Sequence, residues 1–190
     1  AHDYSKRAKD IIFPCHIQPK IDGVRMMFID GKFYSRTGKE MVGLEHIMKD
    51  IPDKKMVLDG ELFTFALTFE QISGIARKIT KRDENIVNKL EFHVFDCYEK
   101  DVSFERRYEK LKKMKFGLSI KLVKCDEIKD GEELETYHQK FVEVGYEGII
   151  LRNKEGKYKS NYRSKDLQKY KYFKDGEYDI VDGKEGEGHD

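Results

Sequence analysis

The strongest constraint on the fold of this chain is the stretch VRMMFIDGKFYS at residues 24–35. Two apolar-rich runs flank a two-residue Asp30-Gly31 step. Both central residues can adopt positive φ, as a tight turn between right-twisted strands demands, so the stretch predicts an antiparallel hairpin. Further β-like runs follow in KMVLDGELF (55–63), LEFHVFDCY (90–98), EGIILR (147–152) and LQKYKYF (167–173), with another strand expected in EYDIVDGKEGEG (177–188). Between them lie helical stretches: LEHIMKDI, stopped before Pro52; TFEQISGIARKI; SFERRYEKLKKM, opened by a Ser103 N-cap; and GEELETYHQKFVEVG, closed by Gly145. Strands and helices alternate irregularly, which predicts an α+β domain over a doubly wound sheet.

A chain of 190 residues is long enough for a core of its own, and 12% aromatics argue against disorder although 38% of residues are charged. The net charge of +1 identifies no partner, but its distribution does. Residues 151–175 hold nine Lys/Arg against three acids, interleaved with Tyr158, Tyr162, Tyr170, Tyr172 and Phe173, which suits a polyanion. The last residues, 175–190, hold seven acids and Lys184 alone. Three cysteines without a C-x-x-C pair predict reduced thiols and an intracellular setting. No apolar run approaches ~18 residues and the first residues are polar, so neither a membrane span nor a signal peptide is expected.

Chemistry concentrates around KIDGVR (20–25). A nucleophilic lysine must lose a proton held with a reference pKa of ~10.4, which takes burial, neighbouring cations or metal assistance. Alone, Lys20 reads as a turn lysine. Together with SRTGKE (35–40), LDGELF (58–63), FHVFDCY (92–98), EGIILR and LQKYKYF, it belongs to a set that places charged or aromatic residues on strands or at their ends, where a sheet-lined cleft presents them. Cations would hold phosphates, carboxylates a divalent metal or ribose hydroxyl, and a ring the base. Period-two alternation in LQKYKYF sends Lys169 and Lys171 to one face. Asp22, Asp59 and Asp96 are expected to organise turns and strand ends. The six histidines lack zinc-ligand spacing, and no cysteine fits a nucleophile.

The order K-x-D-G-x-R, S-R-x-G, D-G-E-L, F-x-x-F-D, E-G-I-I-L-R, K-x-K resembles the covalent nucleotidyltransferases, the polynucleotide ligases and mRNA capping enzymes, and within them ATP-dependent DNA ligases of the small viral or phage type. The resemblance runs from about Phe13 to Gly188. It implies a nucleotidyltransferase (ATP-grasp-like) domain with antiparallel sheets flanked by helices and the nucleotide in the cleft between them. By the same resemblance Lys20 takes up AMP from ATP, AMP passes to the 5′-phosphate of a nick, and the 3′-hydroxyl displaces it. Gln18, Arg25, Glu61, Phe95, Lys169 and Lys171 are implied nucleotide contacts: Gln18 at the adenine amino group, Arg25 and Glu61 near the ribose, Phe95 stacked on the base, and the two lysines on the α-phosphate. Arg36 resembles the arginine that reads the nick 5′-phosphate, and Arg152 and Arg163 are further phosphate candidates. Glu61 and Glu147 would hold Mg²⁺ or Mn²⁺.

The implied partner is nicked double-stranded DNA, in repair, replication or recombination, and the protein is expected to be a monomer; a viral source would place it in a host cell. Residues 1–176 are expected to form the adenylation domain, and 177–190 to begin an OB-fold domain otherwise absent from this sequence. Self-adenylation from ATP is therefore expected to be slow. The alternatives weighed are an RNA ligase or GTP-using capping guanylyltransferase on the same motifs, and a non-catalytic nucleic-acid-binding module.

Overall fold

The computed structural model describes residues 1–78 and 83–171. Among them are eleven strands: β1 (His2–Asp3), β2 (Cys15–Lys20), β3 (Val24–Ile29), β4 (Lys32–Ser35), β5 (Glu40–Met41), β6 (Leu58–Phe63), β7 (Glu91–Cys97), β8 (Ile120–Leu122), β9 (Asp126–Ile128), β10 (Gly148–Arg152) and β11 (Leu167–Tyr170). Six α-helices accompany them, α1 (Tyr4–Arg7), α2 (Glu45–Met48), α3 (Phe69–Arg77), α4 (Glu84–Val87), α5 (Phe104–Lys112) and α6 (Glu133–Glu143), with one 3-10 turn at Ala8–Asp10.

The strands form two sheets, ordered β1-β11-β10-β2-β9 and β5-β4-β3-β6-β7-β8. Every pairing is antiparallel except β1 with β11 and β7 with β8. The α+β expectation holds. The hairpin expected over residues 24–35 is β3–β4, with Asp30 at φ 47° and Gly31 at φ 78°, the positive values a primed turn requires.

Each sheet buries one face under helices. Behind the larger sheet, Met26, Phe28, Leu58, Leu62 and Phe92 pack with Ile47 of α2, Ile72 of α3 and Leu111 of α5. Behind the smaller sheet, Cys15, Ile17, Ile149 and Leu151 pack with Leu134 and Phe141 of α6. Period-two alternation explains which residues go inward: in β3, Met26 and Phe28 are buried while Arg25 and Met27 face the other way. The two outward faces are left to form a site.

Local details adjust the sequence reading. Thr68 and Gln71 form a full capping box at α3. Ser103 occupies the N-cap of α5 with extended backbone, but its side chain makes no capping bond. Gly145 follows α6 at φ 101°, as its C-terminal role requires. Strand β11 ends at Tyr170, so Lys171 lies just past it. The strand expected over 177–188 falls outside the described residues.

Candidate active site

Lys20 is the last residue of β2 in one sheet, and Val24 is the first of β3 in the other. Ile21–Gly23 therefore carry the chain from sheet to sheet, which explains the glycine of KIDGVR. A Cβ on Gly23 would lie 2.5 Å from the Leu62 carbonyl oxygen and 2.8 Å from Glu61 Cγ. Only a residue without a side chain lets this crossing lie so tightly on β6. Lys20 stands at the junction of the two sheets.

On the smaller sheet, antiparallel register puts Gly148 opposite Lys20 and sets Gln18, Ile150 and Lys169 in one row across β2, β10 and β11. Partners in register share a face, so this row and Lys20 turn toward the larger sheet. Glu147 immediately precedes β10, and its backbone N–H donates to the Lys20 carbonyl oxygen at 2.9 Å. Its carboxylate accepts from Lys20 Nζ at one oxygen and from Lys171 Nζ at the other. Partial burial works against the charge on Glu147, yet the hydrogen bonds from Lys171 and Lys20 prevail and hold its carboxyl below the ordinary carboxylate range.

Gln18 is buried, and its Nε2 donates to the Phe95 carbonyl oxygen at 3.2 Å. That bond assigns the amide orientation, and it leaves Oε1 a buried acceptor with no partner among the described residues. A buried acceptor in this condition is the complement of an amino donor.

The larger sheet supplies the other wall. Register aligns Arg25 with Glu61 and Met27 with Asp59. Arg25 grips Asp59 with Nε at 3.0 Å and Nη2 at 2.7 Å, and the Tyr158 hydroxyl donates to the same carboxylate at 2.7 Å. Glu61 is different. Burial, followed by the neighbouring charge of Asp59, pushes its carboxyl up to about 8 against the pull of Lys20 and Arg25.

Phe95 owes its position to an irregularity. Asp59 pairs with Asp96 while Gly60 pairs with Val94, so Phe95 is the extra residue of a β-bulge. Phe95 and Asp96 consequently both line the cleft, and the Phe95 ring stays half-buried outside the apolar core.

The two walls enclose a cleft of about 770 Å³, the size class of small-molecule sites. Gln18, Lys20, Arg25, Glu61, Phe95 and Lys169 all line it, together with exposed Arg36 and Arg163 at its rim. Glu147 and Lys171 join through the lysine pair. Arg152 also lines the cleft, but its surroundings are not those of a simple phosphate contact. Its Nη1 donates to Asp96 at 2.9 Å, its guanidinium carbon lies 4.5 Å from the Phe104 ring centroid and 5.3 Å from that of Phe95, and its Nε has no partner among the described residues.

Asp59 and Asp96 do more than organise strand ends: each anchors an arginine, Asp96 also taking Arg107 at 2.8 and 3.0 Å. Arg107 and Tyr158 are the functional residues that sequence reasoning passed over, one inside an amphipathic helix and the other counted only among aromatics of the basic stretch. The thiols of Cys15, Cys97 and Cys125 are pushed by burial to about 12, 11 and 12, in keeping with the expectation that none is a nucleophile.

Among the described residues no group of three or more His, Cys, Asp or Glu side chains gathers in metal-binding geometry. A divalent cation here would lean on one or two carboxylates plus substrate oxygens, which is how magnesium is ordinarily held. Glu61 fits that use, since its carboxyl makes no hydrogen bond or ion pair among the described residues and a nearby cation would favour its ionised form. No helix of the described residues is long and apolar enough to cross a membrane.

Paired sheets, a junction lysine tied to a carboxylate, and a bulge-presented ring define a cleft of small-molecule size with a lysine amine at its rim. Residues 2–171 match the ATP-dependent DNA ligase domain model, and the chain belongs to that family. A DNA ligase of African swine fever virus is 34% identical over 191 residues, covering 90% of this chain and 44% of its own length. The DNA ligase of Enterobacteria phage T4 is 26% identical over 231 residues, covering 91% of this chain and 47% of its own. Among solved structures, a Lig E DNA ligase matches with a TM-score of 0.78 and 25% identity over 90% of this chain and 67% of that one. The Chlorella virus DNA ligase-adenylate shares the fold with a TM-score of 0.69 and 23% identity, over 86% of this chain and 63% of its own. The chain thus spans about half the length of the curated relatives it matches.

Proposed function

We propose that this chain is the adenylating part of a DNA ligase that takes AMP from ATP onto Lys20 and passes it to the 5′-phosphate of a nick in double-stranded DNA. The observation that carries the reading is the seat of Lys20: at the junction of two sheets, on the edge of a cleft of about 770 Å³. Along the row from Lys20, Gln18 offers its unpartnered acceptor to the adenine amino group, and Phe95 offers a ring face to the base. Lys169 and Lys171 approach the cleft from β11 and the residue beyond it, where they would neutralise charge on the α-phosphate.

Phosphoryl transfer of this kind needs in-line positioning and charge neutralisation more than an acid–base pair. The attacking form of Lys20 is the neutral amine, so its ion pair with Glu147 must open and its proton must leave before attack. With Lys171 holding the other oxygen, Glu147 stays in place as Lys20 departs. Glu61, and Glu147 once released, would hold Mg²⁺, which when bound would offset the negative charge that develops on the phosphate. Arg36 and Arg163 at the rim suit phosphates of the DNA backbone, so binding of nicked duplex should weaken with salt. Residues 1–176 form the adenylation domain in this reading, with an OB-type domain beginning at 177–190 and needed for full sealing.

The test is to incubate the chain with ATP and Mg²⁺ and weigh it. One AMP on Lys20, formed from ATP and not from GTP, supports the reading. A GMP adduct would move the chain to capping chemistry, and no adduct even when the chain is joined to an OB-type domain would leave a binding module.

A further inference from the structure

Asp59 and Asp96 face one another across β6 and β7, and each joins the two sheets. Asp96 binds Arg107 of α5 on its own side and Arg152 of β10 from the other. Asp59 binds Arg25 of β3 on its own side and, from the loop between β10 and β11, Tyr158. The Arg152 tie is buried and closed on both sides by aromatic rings. The Tyr158 tie lies directly beside a nucleotide-facing arginine.

Three contacts define what the Tyr158 hydroxyl does. It donates to Asp59 Oδ2 at 2.7 Å, and it stands 3.5 Å from Arg25 Nη2, itself bound to that same oxygen at 2.7 Å. With Nε and Nη2 engaged, Nη1 is the guanidinium nitrogen of Arg25 left unengaged among the described residues, and Arg25 lines the cleft. The tyrosine ring is held separately, with the Arg107 guanidinium carbon 5.7 Å from its centroid and the Tyr98 ring edge-on at 5.6 Å. Removing the hydroxyl therefore deletes the bond it donates to Asp59 and the longer one it accepts from Arg25, and leaves the ring contacts in place. Burial, then the charge of Asp59, also raises the Tyr158 pKa, so the hydroxyl remains a donor across the neutral range.

We propose that Tyr158 is a positioning residue for adenylate transfer: acting through Asp59, its hydroxyl sets the direction in which Arg25 meets the nucleotide and pins the cleft-lining 156–164 loop to the opposite sheet. The inference rests on the cleft being the adenylation site. A hydrogen bond to a carboxylate is among the stronger ones in proteins, and here it crosses between two sheets joined in the main chain at Ile21–Gly23. Loss of the bond lets Arg25 rotate on Asp59 and frees Lys159 and Arg163 from their fixed side of the cleft, without emptying any part of the core.

Tyr158→Phe, Asp59→Asn and the double variant are compared with the wild-type chain in single-turnover formation of the Lys20–AMP adduct over a range of ATP concentrations, with melting temperatures measured alongside. Tyr158→Phe should lower the saturating rate about tenfold, the scale of one lost hydrogen bond to a charged group, while half-saturation by ATP stays nearly constant. Its melting temperature should stay within about 2 °C of wild type. The double variant should be no slower than Asp59→Asn alone, because both changes cut one pathway. A Tyr158→Phe rate equal to wild type overturns the proposal, and so do additive losses in the double variant or losses that follow melting temperature. If the wild type forms no adduct even when joined to an OB-type domain, the adenylation reading fails first and this inference falls with it.

Discussion

The two walls of the cleft each carry one glutamate, and the two behave oppositely. Glu147, beside the smaller sheet, lies between Lys20 and Lys171 and is held ionised. Glu61, on the larger sheet, lies in register with Arg25, yet its carboxyl is pushed up to about 8. Proximity of a cation does not distinguish them; the use made of that cation does. Arg25 turns its Nε and Nη2 onto Asp59, and Glu61 makes no hydrogen bond or ion pair among the described residues, so burial and a neighbouring negative charge prevail. One wall is thus a closed ion network around Lys20, and the other holds an uncommitted carboxyl. Separation of two carboxyl groups by environment is a recurring way to divide tasks in one site.

The comparison breaks most completely at Lys20. Lys20→Ala should abolish the AMP adduct, read by mass spectrometry, because it removes the amine proposed to carry AMP. Glu147→Gln comes next. It retains the shape of the carboxylate but removes the charge between two lysines, and the single-turnover rate of adduct formation should fall about 10²-fold, the scale of one preorganised electrostatic partner. An unchanged rate would mean that the Glu147 network serves only the resting state. Gly23→Ala tests the crossing between the walls. A methyl group 2.5 Å from the Leu62 carbonyl must displace backbone, so the chain should lose about 1–3 kcal/mol of stability, read as a lowered melting temperature. An unaltered melting temperature would show that the crossing has room to shift.

Much of this was legible in sequence because it rests on local rules. The Asp30-Gly31 turn, the helical run of α3 and the inward face of β3 follow from turn chemistry and periodicity. The set of residues gathered around Lys20 followed from motifs in order, but alone Lys20 reads as a turn lysine, and strand β2, which it ends, is not among the expected strands. Period-two alternation places Lys169 on β11, while Lys171 lies just past that strand. What stayed hidden depends on distant partners. Asp59 reads as a strand-end acid until Arg25, 34 residues away, and Tyr158, 99 residues away, arrive beside it. Asp96 likewise meets Arg152 across 56 residues. The bulge that releases Phe95 from the core is a property of two strands and has no signature in FHVFD alone. Strands β8 and β9 have three residues each and are defined by the neighbours they pair with, β7 and β2.

The smallest effect sharpens the comparison from the Glu61 side. A carboxyl raised from its ordinary value of 4.5 to about 8 stabilises the fold fully below pH 4.5, where it is protonated folded or unfolded. As pH rises toward 8, the unfolded chain gains from ionising Glu61 while the folded chain does not, so this contribution is lost. Glu61→Gln removes the titration while keeping the size of the side chain. Wild type and variant should melt together near pH 4.5, and the variant should melt higher near pH 8. Cleft water screens part of the penalty, which leaves a gap of roughly 1 kcal/mol, or about 2–4 °C for a chain of this length. Adding Mg²⁺ at pH 8 should narrow the gap by favouring ionised Glu61 in the folded wild type. The same addition should leave the Glu61→Gln variant unmoved, which ties the response to this carboxyl and not to the Glu147 network. A gap that stayed constant from pH 4.5 to 8 would mean that Asp59 and burial do not act on Glu61 as their positions require.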